Sequence, residues 1–326
     1  MGDKLMDCPV CGTGDAELFA KAYDKEYFTS STQYRYARCG ACSAVYLDDP
    51  PADRLDEIYP PNYYSYGGIE GSTAFTERIK EKLDGRTLRR ILAKIPGERL
   101  RVLDVGGGAG WLLTTARRVC PRVAETHEVD MQEAAAPAAE RAGHVYHCMP
   151  VEEFTSGEKF DLIMMMSVIE HVPDPARVLR QACDLLSDDG VLLVKTPNTA
   201  TWDCRIFRHR NWGGFHCPRH FVLFTRDGLA DLGERCGLRA RSSAYTQGAP
   251  QWALSVMAWL QDRGLIKVTS QRPAYRHWTY EPLTALFAAL DYARAPFAPT
   301  AQMTMQLVRA PRPAHPGGAD DPPGTF

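Results

Sequence analysis

The chain has 326 residues, 44% hydrophobic and 24% charged, enough apolar material for one large globular core with a smaller unit beside it. Thirty-eight basic residues against 40 acidic ones give a formal net charge of −2, which supplies no electrostatic reason to expect a polyanion and makes nucleic acid the weaker candidate partner. No apolar run approaches the ~20 residues of a membrane span, the longest being LIMMMSVI at 162–169.

In chain order, the N-terminus MGDKLMDCPVCG carries acids, no apolar h-region, and Met6 where a myristoylation signal needs Ser or Thr. The expected location is therefore the cytoplasm. Residues 1–52 read as a small module of short extended pieces, YRYAR and SAVYL, ending at the breaker DDPPAD. Within it, Cys8-Pro-Val-Cys11 and Cys39-Gly-Ala-Cys42 are separated by twenty-seven residues. Each CxxC turn brings two thiolates to one tetrahedral ion, and two turns fill a closed structural site, so a zinc ion on Cys8, Cys11, Cys39 and Cys42 is expected. Buried or redox thiols are the alternative, although a redox CxxC normally comes singly and opens a helix. The other six cysteines are expected as small apolar fillers.

Residues 53–98 form a connector, with the tyrosine-rich YPPNYYSYGG and a charged helix over about Thr76 to Lys94, closed by PGE. From 99 to about 245, strand-like runs RVLDV, AETHEVD, VYHCM, FDLIMMM and GVLLVKT alternate with helical stretches. That alternation predicts an α/β fold, a parallel sheet with helices on both faces. Residues 250–297 are helical again and precede a last strand, AQMTMQLV, so they read as an insertion serving as a lid. The Pro- and Gly-rich tail, 311–326, is expected to be disordered.

The stretch RVLDVGGGAGWLL holds the chemistry-bearing turn: Asp104 ends a strand, and Gly106, Gly108 and Gly110 give GxGxG as the chain enters the helix WLLTTARRV. Absent side chains let a ligand lie against backbone N–H groups at a helix N-terminus, while a glycine turn needed only for packing is the alternative. Asp130 closes the second strand, where an acid can accept both hydroxyls of a ribose; Glu128 competes if the register slips by two. A turn aspartate is the bland reading. The third strand ends at HCMPVEEF and the fourth at SVIEHVPDP.

The combination of VLDVGGGAG, FDLIMMMSVIEHVPDP and GVLLVKTPN resembles the class I S-adenosylmethionine-dependent methyltransferases over residues 99–245. The resemblance implies a doubly wound, mostly parallel, seven-stranded Rossmann-like sheet and S-adenosylmethionine as methyl donor. It implies donor contacts at Asp104, Gly106, Gly108, Gly110, Asp130 and Ser167, with adenine between Met149 and Val151. Tyr63 and Tyr64 would close over the donor, with packing of the connector on the core as the alternative. The CxxC module, YPPNYYS and NWGGFHCPRHFVLFTRDGL are similar to bacterial zinc-ribbon methyltransferases acting on sugars and other small metabolites. The chain departs from that group in having no second full α/β domain after the core, and in placing His127 and Glu128 where apolar or Gly residues are usual.

Methyl transfer to oxygen needs in-line positioning and usually a base, and histidine titrates near neutral pH. His171 follows Glu170 at the end of the fourth strand; orienting the loop is its alternative role. His216 and His220 lie in NWGGFHCPRHF, with His220 preferred as base and Arg219 beside it to bind an acidic group; a core-satisfied histidine is equally compatible. Trp212, Phe215 and Phe221 are expected to face a flat or glycosylated acceptor, in a site between the end of strand four, residues 196–198 and 211–221. The expected function is methylation of a small-molecule acceptor, a sugar, glycoside or other secondary metabolite, on oxygen rather than carbon. An RNA methyltransferase gripping its substrate with the ribbon, and a non-catalytic binding protein that kept the fold, are the alternatives.

Overall fold

The computed structural model describes residues 4–63 and 74–311, with side chains from Glu81 onward in the second stretch. Tyr64 and residues 312–326 of the expected tail lie outside the described residues.

The N-terminal residues form an antiparallel sheet of β1 (Ala16–Ala22), β2 (Tyr34–Cys39) and β3 (Val45–Asp48), followed by the short helix α1 (Leu55–Ile58). A fourth strand arrives from far downstream: β9 (Val222–Leu223) pairs with β3 through Val45 opposite Leu223. After α2 (Ala74–Leu92) come the alternating elements of the core. These are β4 (Leu100–Val105), α3 (Trp111–Val119), β5 (Val123–Asp130), α4 (Ala136–Arg141), β6 (Val145–Cys148), β7 (Phe160–Met166), α5 (Pro175–Leu185) and β8 (Leu186–Pro197). Then follow α6 (Trp202–Phe207), α7 (Arg226–Arg235), β10 (Leu238–Thr246), α8 (Ala249–Asp262), α9 (Tyr280–Arg294) and β11 (Gln302–Arg309).

Seven strands make the main sheet in the order β10-β11-β8-β7-β4-β5-β6. β6, β5, β4, β7 and β8 are parallel, and β11 runs antiparallel to both β8 and β10. The mostly parallel seven-stranded α/β sheet expected from the sequence is thus present, and α8 and α9 are inserted before its last strand. Central strands covered on both faces need continuous apolar runs, and β4 buries every residue of LRVLDV except the half-buried Arg101. α5 starts where Asp174 accepts the Arg177 N–H at 2.9 Å and Pro175 opens the first turn. β4 has the next strand on one side and β7 on the other, so the chain changes winding direction there. Open α/β sheets hold ligands at that crevice, outside the carboxyl ends of the strands.

One sheet face packs on α2 and α3 through Leu88, Ile91, Leu92 and Leu113. The other belongs to a cluster that also contains Cys8, Tyr36, Tyr46 and Leu47, so the cysteine-bearing sheet shares an apolar core with the α/β unit. Trp212, Phe215 and Phe221 are in this cluster at 1% exposure each, and the Trp212 indole donates to Asp203 at 2.6 Å. These rings therefore build the core rather than face an acceptor, contrary to the expectation above. Cys148 also departs from expectation: it is exposed and its thiol donates to the Met131 carbonyl, whereas Cys120, Cys183, Cys204, Cys217 and Cys236 are buried. α8 is held down by its own apolar side, with Ala249, Ala253 and Met257 buried and Ser255 Oγ accepting the Gly213 N–H at 2.8 Å.

Candidate functional site

β5 organises the glycine turn. The N–H groups of Gly106, Gly107 and Gly108 donate to the Val129 carbonyl (2.8 Å), Glu128 Oε1 (2.7 Å) and Asp130 Oδ2 (2.9 Å). Gly108 has φ of +60°, and a Cβ built on it meets nothing within 4 Å. The turn is therefore bare toward the crevice at Gly108, and packed elsewhere. At Gly106 a Cβ would lie 2.8 Å from Val168 of the loop after β7, and at Gly110 it would lie 2.5 Å from the His144 ring. His144 is itself fixed between Thr114 (3.0 Å) and Thr126 (2.8 Å).

Below the turn, Asp104 and Glu128 bring their carboxyls together under Gly107, where a Cβ would lie against Asp104 Oδ2 and 2.7 Å from Glu128 Oε2. Glu128 is fully buried, while Asp130 is half-buried at the crevice. Both oxygens of Asp104 and Oε2 of Glu128 have no hydrogen-bond partner. Burial first, and then the neighbouring acids, push both carboxyls far above the usual carboxylate range, so the pair holds a proton at neutral pH. Such a cluster of orphaned acceptors fits a cationic group above it, and Asp130 lies at the strand end, at the rim of the crevice. Met149 lies beside it, its N–H donating to the Asp130 carbonyl at 3.2 Å, and Val151 is buried next to Met149. Ser167, at φ of +60°, directly follows β7.

On the far side of β7 lies a cluster that the sequence only partly announced. His171 Nδ1 is 3.0 Å from the Arg219 carbonyl and 2.9 Å from the Tyr59 hydroxyl; His220 Nδ1 is 2.8 Å from the Gly214 carbonyl. Carbonyl partners place the proton on Nδ1 and leave Nε2 as an acceptor in both rings. The rings meet edge to face at 4.6 Å. Burial holds His171 down to about 3 and His220 well below the usual histidine value, so both are neutral in the working range and weak as bases. Glu170 Oε2 accepts from Thr196 at 2.9 Å and its other oxygen has no partner; burial pushes this carboxyl up to about 7.

Arg219 corrects a second expectation. Its guanidinium donates to the Ile58 carbonyl (2.7 Å), the Cys217 carbonyl (3.1 Å) and Asp24 Oδ2 (2.9 Å), with no exposed surface on either side chain of the ion pair. It ties the N-terminal sheet to the loop at 216–220 and is not available to an acidic acceptor. The same loop brings His216 against Tyr63 (3.1 Å) and Glu26 (2.8 Å). Neither Asp24 nor Glu26 carried a sequence signal, because isolated acids in a polar stretch are common on surfaces, while Tyr59 opens the tyrosine-rich YPPNYYS segment with no role of its own expected there.

The four paired cysteines converge: Cys8 and Cys42 have sulfurs 3.6 Å apart, Cys11 and Cys39 3.5 Å, and all four lie within 4.8 Å of one another. Zn–S bonds of ~2.3 Å in a tetrahedron separate sulfurs by ~3.8 Å, so the set fits one such ion. Both turns close alike, through Gly12 N–H to the Cys8 carbonyl (2.8 Å) and Ser43 N–H to the Cys39 carbonyl (3.0 Å). No helix among the described residues is long and apolar enough to cross a membrane.

Residues 75–243 match the family model described as a methyltransferase domain. The chain is 32% identical over 179 residues to a ubiquinone biosynthesis O-methyltransferase of Parvibaculum lavamentivorans, covering 54% of this chain and 66% of that protein. It is 34% identical over 172 residues to the protein of that name from Bradyrhizobium diazoefficiens, covering 48% and 66%. The matched stretch is thus just under two thirds of either relative. Among solved structures, an O-methyltransferase of a trans-AT PKS multienzyme of Brevibacillus brevis, in complex with S-adenosyl-L-homocysteine, aligns with a TM-score of 0.46 and 14% identity over 76% of this chain and 80% of that one. With more than half of its residues inside the family model, the chain belongs to the methyltransferase-domain family.

Proposed function

We propose that the protein transfers the methyl group of S-adenosylmethionine to a hydroxyl oxygen of a small organic acceptor. The observation that carries this reading is the turn at the switch point, bare at Gly108, with the orphaned carboxyls of Asp104 and Glu128 beneath it and Asp130 at its rim. When bound, the donor supplies an electrophilic methyl carbon, whose bond to sulfur breaks as its bond to the acceptor oxygen forms. Asp104 and Glu128 balance the positive charge of its amino-acid end, Asp130 accepts from the ribose hydroxyls, and Met149 and Val151 flank the adenine. Ser167 borders the methyl-bearing side.

The acceptor enters from the side of His171, His216 and His220, beside the ends of β7 and β8. His171 and His220, neutral and with Nε2 as acceptor, orient its hydroxyl. The two relatives are O-methyltransferases of ubiquinone biosynthesis, which favours a quinone-related hydroxyl acceptor over a sugar, and the phenol 3,4-dihydroxybenzoate is the first probe. Cys8, Cys11, Cys39 and Cys42 hold one structural zinc ion, since four thiolates leave no ligand position for water.

Two measurements test this. Calorimetry with S-adenosylhomocysteine is expected to show one site per chain. Incubation with [methyl-³H]S-adenosylmethionine and 3,4-dihydroxybenzoate is expected to label an extractable methyl ether. Absence of donor binding by the folded protein overturns the reading altogether. Binding without labelling of this phenol overturns the phenolic acceptor and returns attention to glycosides.

A further inference from the structure

We infer that Glu26, His216 and Tyr63 form the proton relay of the acceptor site, so that the cysteine-bearing N-terminal unit supplies part of the reacting centre. The inference rests on the methyl-transfer reading above and names the groups that take the acceptor's proton.

Three histidines crowd this side of the molecule, and they differ in what holds Nδ1. His171 and His220 have backbone carbonyls there, which fix a tautomer without stabilising the cation. His216 has the Glu26 carboxylate at 2.8 Å, with the two side chains 7% and 14% exposed. A carboxylate on Nδ1 keeps the proton on that nitrogen and stabilises the imidazolium when Nε2 takes another. Nε2 faces the Tyr63 hydroxyl at 3.1 Å. A phenol that donates to His216 can also accept on its oxygen, so the buried Tyr63 hydroxyl has the chemistry to take up one proton as it gives another to His216.

The placement is also right. The Tyr63 ring meets Tyr59 edge to face at 4.9 Å, and Tyr59 is bonded to His171 at the end of β7. The relay therefore reaches the sheet edge where the switch point lies. Glu26 is held there by construction. Asp24, fully buried, accepts the N–H groups of Glu26 (3.1 Å), Tyr27 (2.9 Å) and Thr29 (3.0 Å) and pairs with Arg219, which pins the loop carrying Glu26 to the loop carrying His216. An ordinary surface glutamate would need no such frame.

In the step itself, the acceptor O–H proton passes to Tyr63 Oη as the Tyr63 proton passes to His216 Nε2. The acceptor oxygen forms its bond to the methyl carbon, and the carbon–sulfur electron pair stays on sulfur. The imidazolium rests on Glu26 until its proton returns through Tyr63 to solvent. Among the described residues, the titratable or charged groups around His216 include Glu26 and Tyr27 from the N-terminal unit, Tyr63 from the connector, His171 from the loop after β7, and Arg219 and His220 from its own loop. Arg219 is paired with Asp24, and Glu26 is the carboxylate that lies on His216 Nδ1.

The test uses the full chain with its metal. Histidine ring ¹⁵N spectra followed with pH give the His216 titration in wild type, Glu26→Gln and Glu26→Asp. Replacing the carboxylate by an amide removes the group that favours the cation, so the His216 midpoint is expected to fall by about one unit or more, with His171 and His220 as internal controls and Glu26→Asp restoring most of it. With 3,4-dihydroxybenzoate as probe, Tyr63→Phe and Glu26→Gln are expected to lower kcat about tenfold or more at unchanged donor affinity, and Glu26→Gln to move the acidic limb of kcat/KM to lower pH. A His216 midpoint within about 0.2 unit of wild type in Glu26→Gln, or full kcat in Tyr63→Phe, overturns the relay. If wild type leaves this phenol unlabelled, the acceptor class in the methyl-transfer reading falls, and the ¹⁵N titration alone decides the relay.

Discussion

Alanine at Gly108 and at Gly110 should separate a ligand seat from a packing constraint within one turn. Both residues have positive φ, +60° and +75°, so each substitution carries the left-handed penalty of ~1–2 kcal/mol. At Gly108 nothing in the protein lies within 4 Å of the new methyl, and that penalty is the whole cost. At Gly110 the methyl would lie 2.5 Å from His144 Cδ2, and His144 cannot swing aside because Thr114 and Thr126 hold both of its nitrogens. Overpacking there adds ~1–3 kcal/mol. Thermal melts should thus show Gly110→Ala losing roughly twice the stability of Gly108→Ala, with the latter down by about 2–4 °C. Calorimetry with S-adenosylhomocysteine should show the reverse order. A methyl on Gly108 projects where the donor meets the backbone and should weaken binding at least about tenfold, ~1.4 kcal/mol, while folded Gly110→Ala binds within a few-fold of wild type. Donor affinity unchanged in Gly108→Ala would show that the open space above the turn is not the donor seat, and the reading of this site would fail.

The remaining predictions use other parts of the structure. Cys39→Ser should leave well under one equivalent of zinc in purified protein and expose the N-terminal sheet to proteolysis before the α/β core; retention of a full equivalent would remove the four-cysteine assignment. Glu128→Gln should raise the melting temperature at pH 8 and have little effect near pH 4. The sign follows from the raised folded-state values of Glu128 and Asp104: stability they contribute below the unfolded value of ~4 is lost as pH rises toward the folded values, and a neutral amide escapes that loss. An equal drop at both pH values would mean that the pair is not sharing a proton. Asp130→Ala should weaken donor binding by ~1–3 kcal/mol, since it removes an acceptor that now holds Gly108 at 2.9 Å and Gln132 at 2.8 Å; an unchanged dissociation constant would dismiss Asp130 from the ribose.

The donor side of the molecule was legible because its signals are local. RVLDVGGGAG shows an apolar strand running straight into a glycine turn, and β4 and β7 are apolar runs, although the side chains that pack on Gly106 and Gly110, Val168 and His144, lie far along the chain. The register of β5 was left open between Glu128 and Asp130. The two share one face of the strand and differ in depth: Glu128 lies under the turn with no exposed surface, and Asp130, two residues on, lies at the strand end where the Gly108 N–H reaches it. The unusual His127 also has a local cause, stacking at 5.4 Å on His147 of the edge strand β6. β10 escaped notice because LRARSSAYT pairs with β11 on one side only and most of its residues are exposed, so it shows no apolar period.

The cluster around His171, His216 and His220, which the proposed function makes the acceptor side, was legible only in part for a different reason, and the same reason explains its architecture. Its groups come from residues 24–29, 59–63, 171 and 216–220, and no window of sequence contains two of these segments. What joins them is a pair of long-range devices, the buried Asp24–Arg219 ion pair and the addition of β9 to the N-terminal sheet. A buried pair of this kind adds little net stability over an apolar substitute, but it is strongly destabilising when one partner is lost, which makes it a device for register rather than for strength. Its register is what fixes Glu26 opposite His216. Asp24→Asn should therefore uncouple the two loops while the α/β core, whose cluster on α2 and α3 does not involve them, stays folded. Far-ultraviolet circular dichroism and donor binding would then be near wild type, with acceptor-dependent turnover lost. If turnover survives in that variant, the N-terminal unit is a support for the core and nothing more.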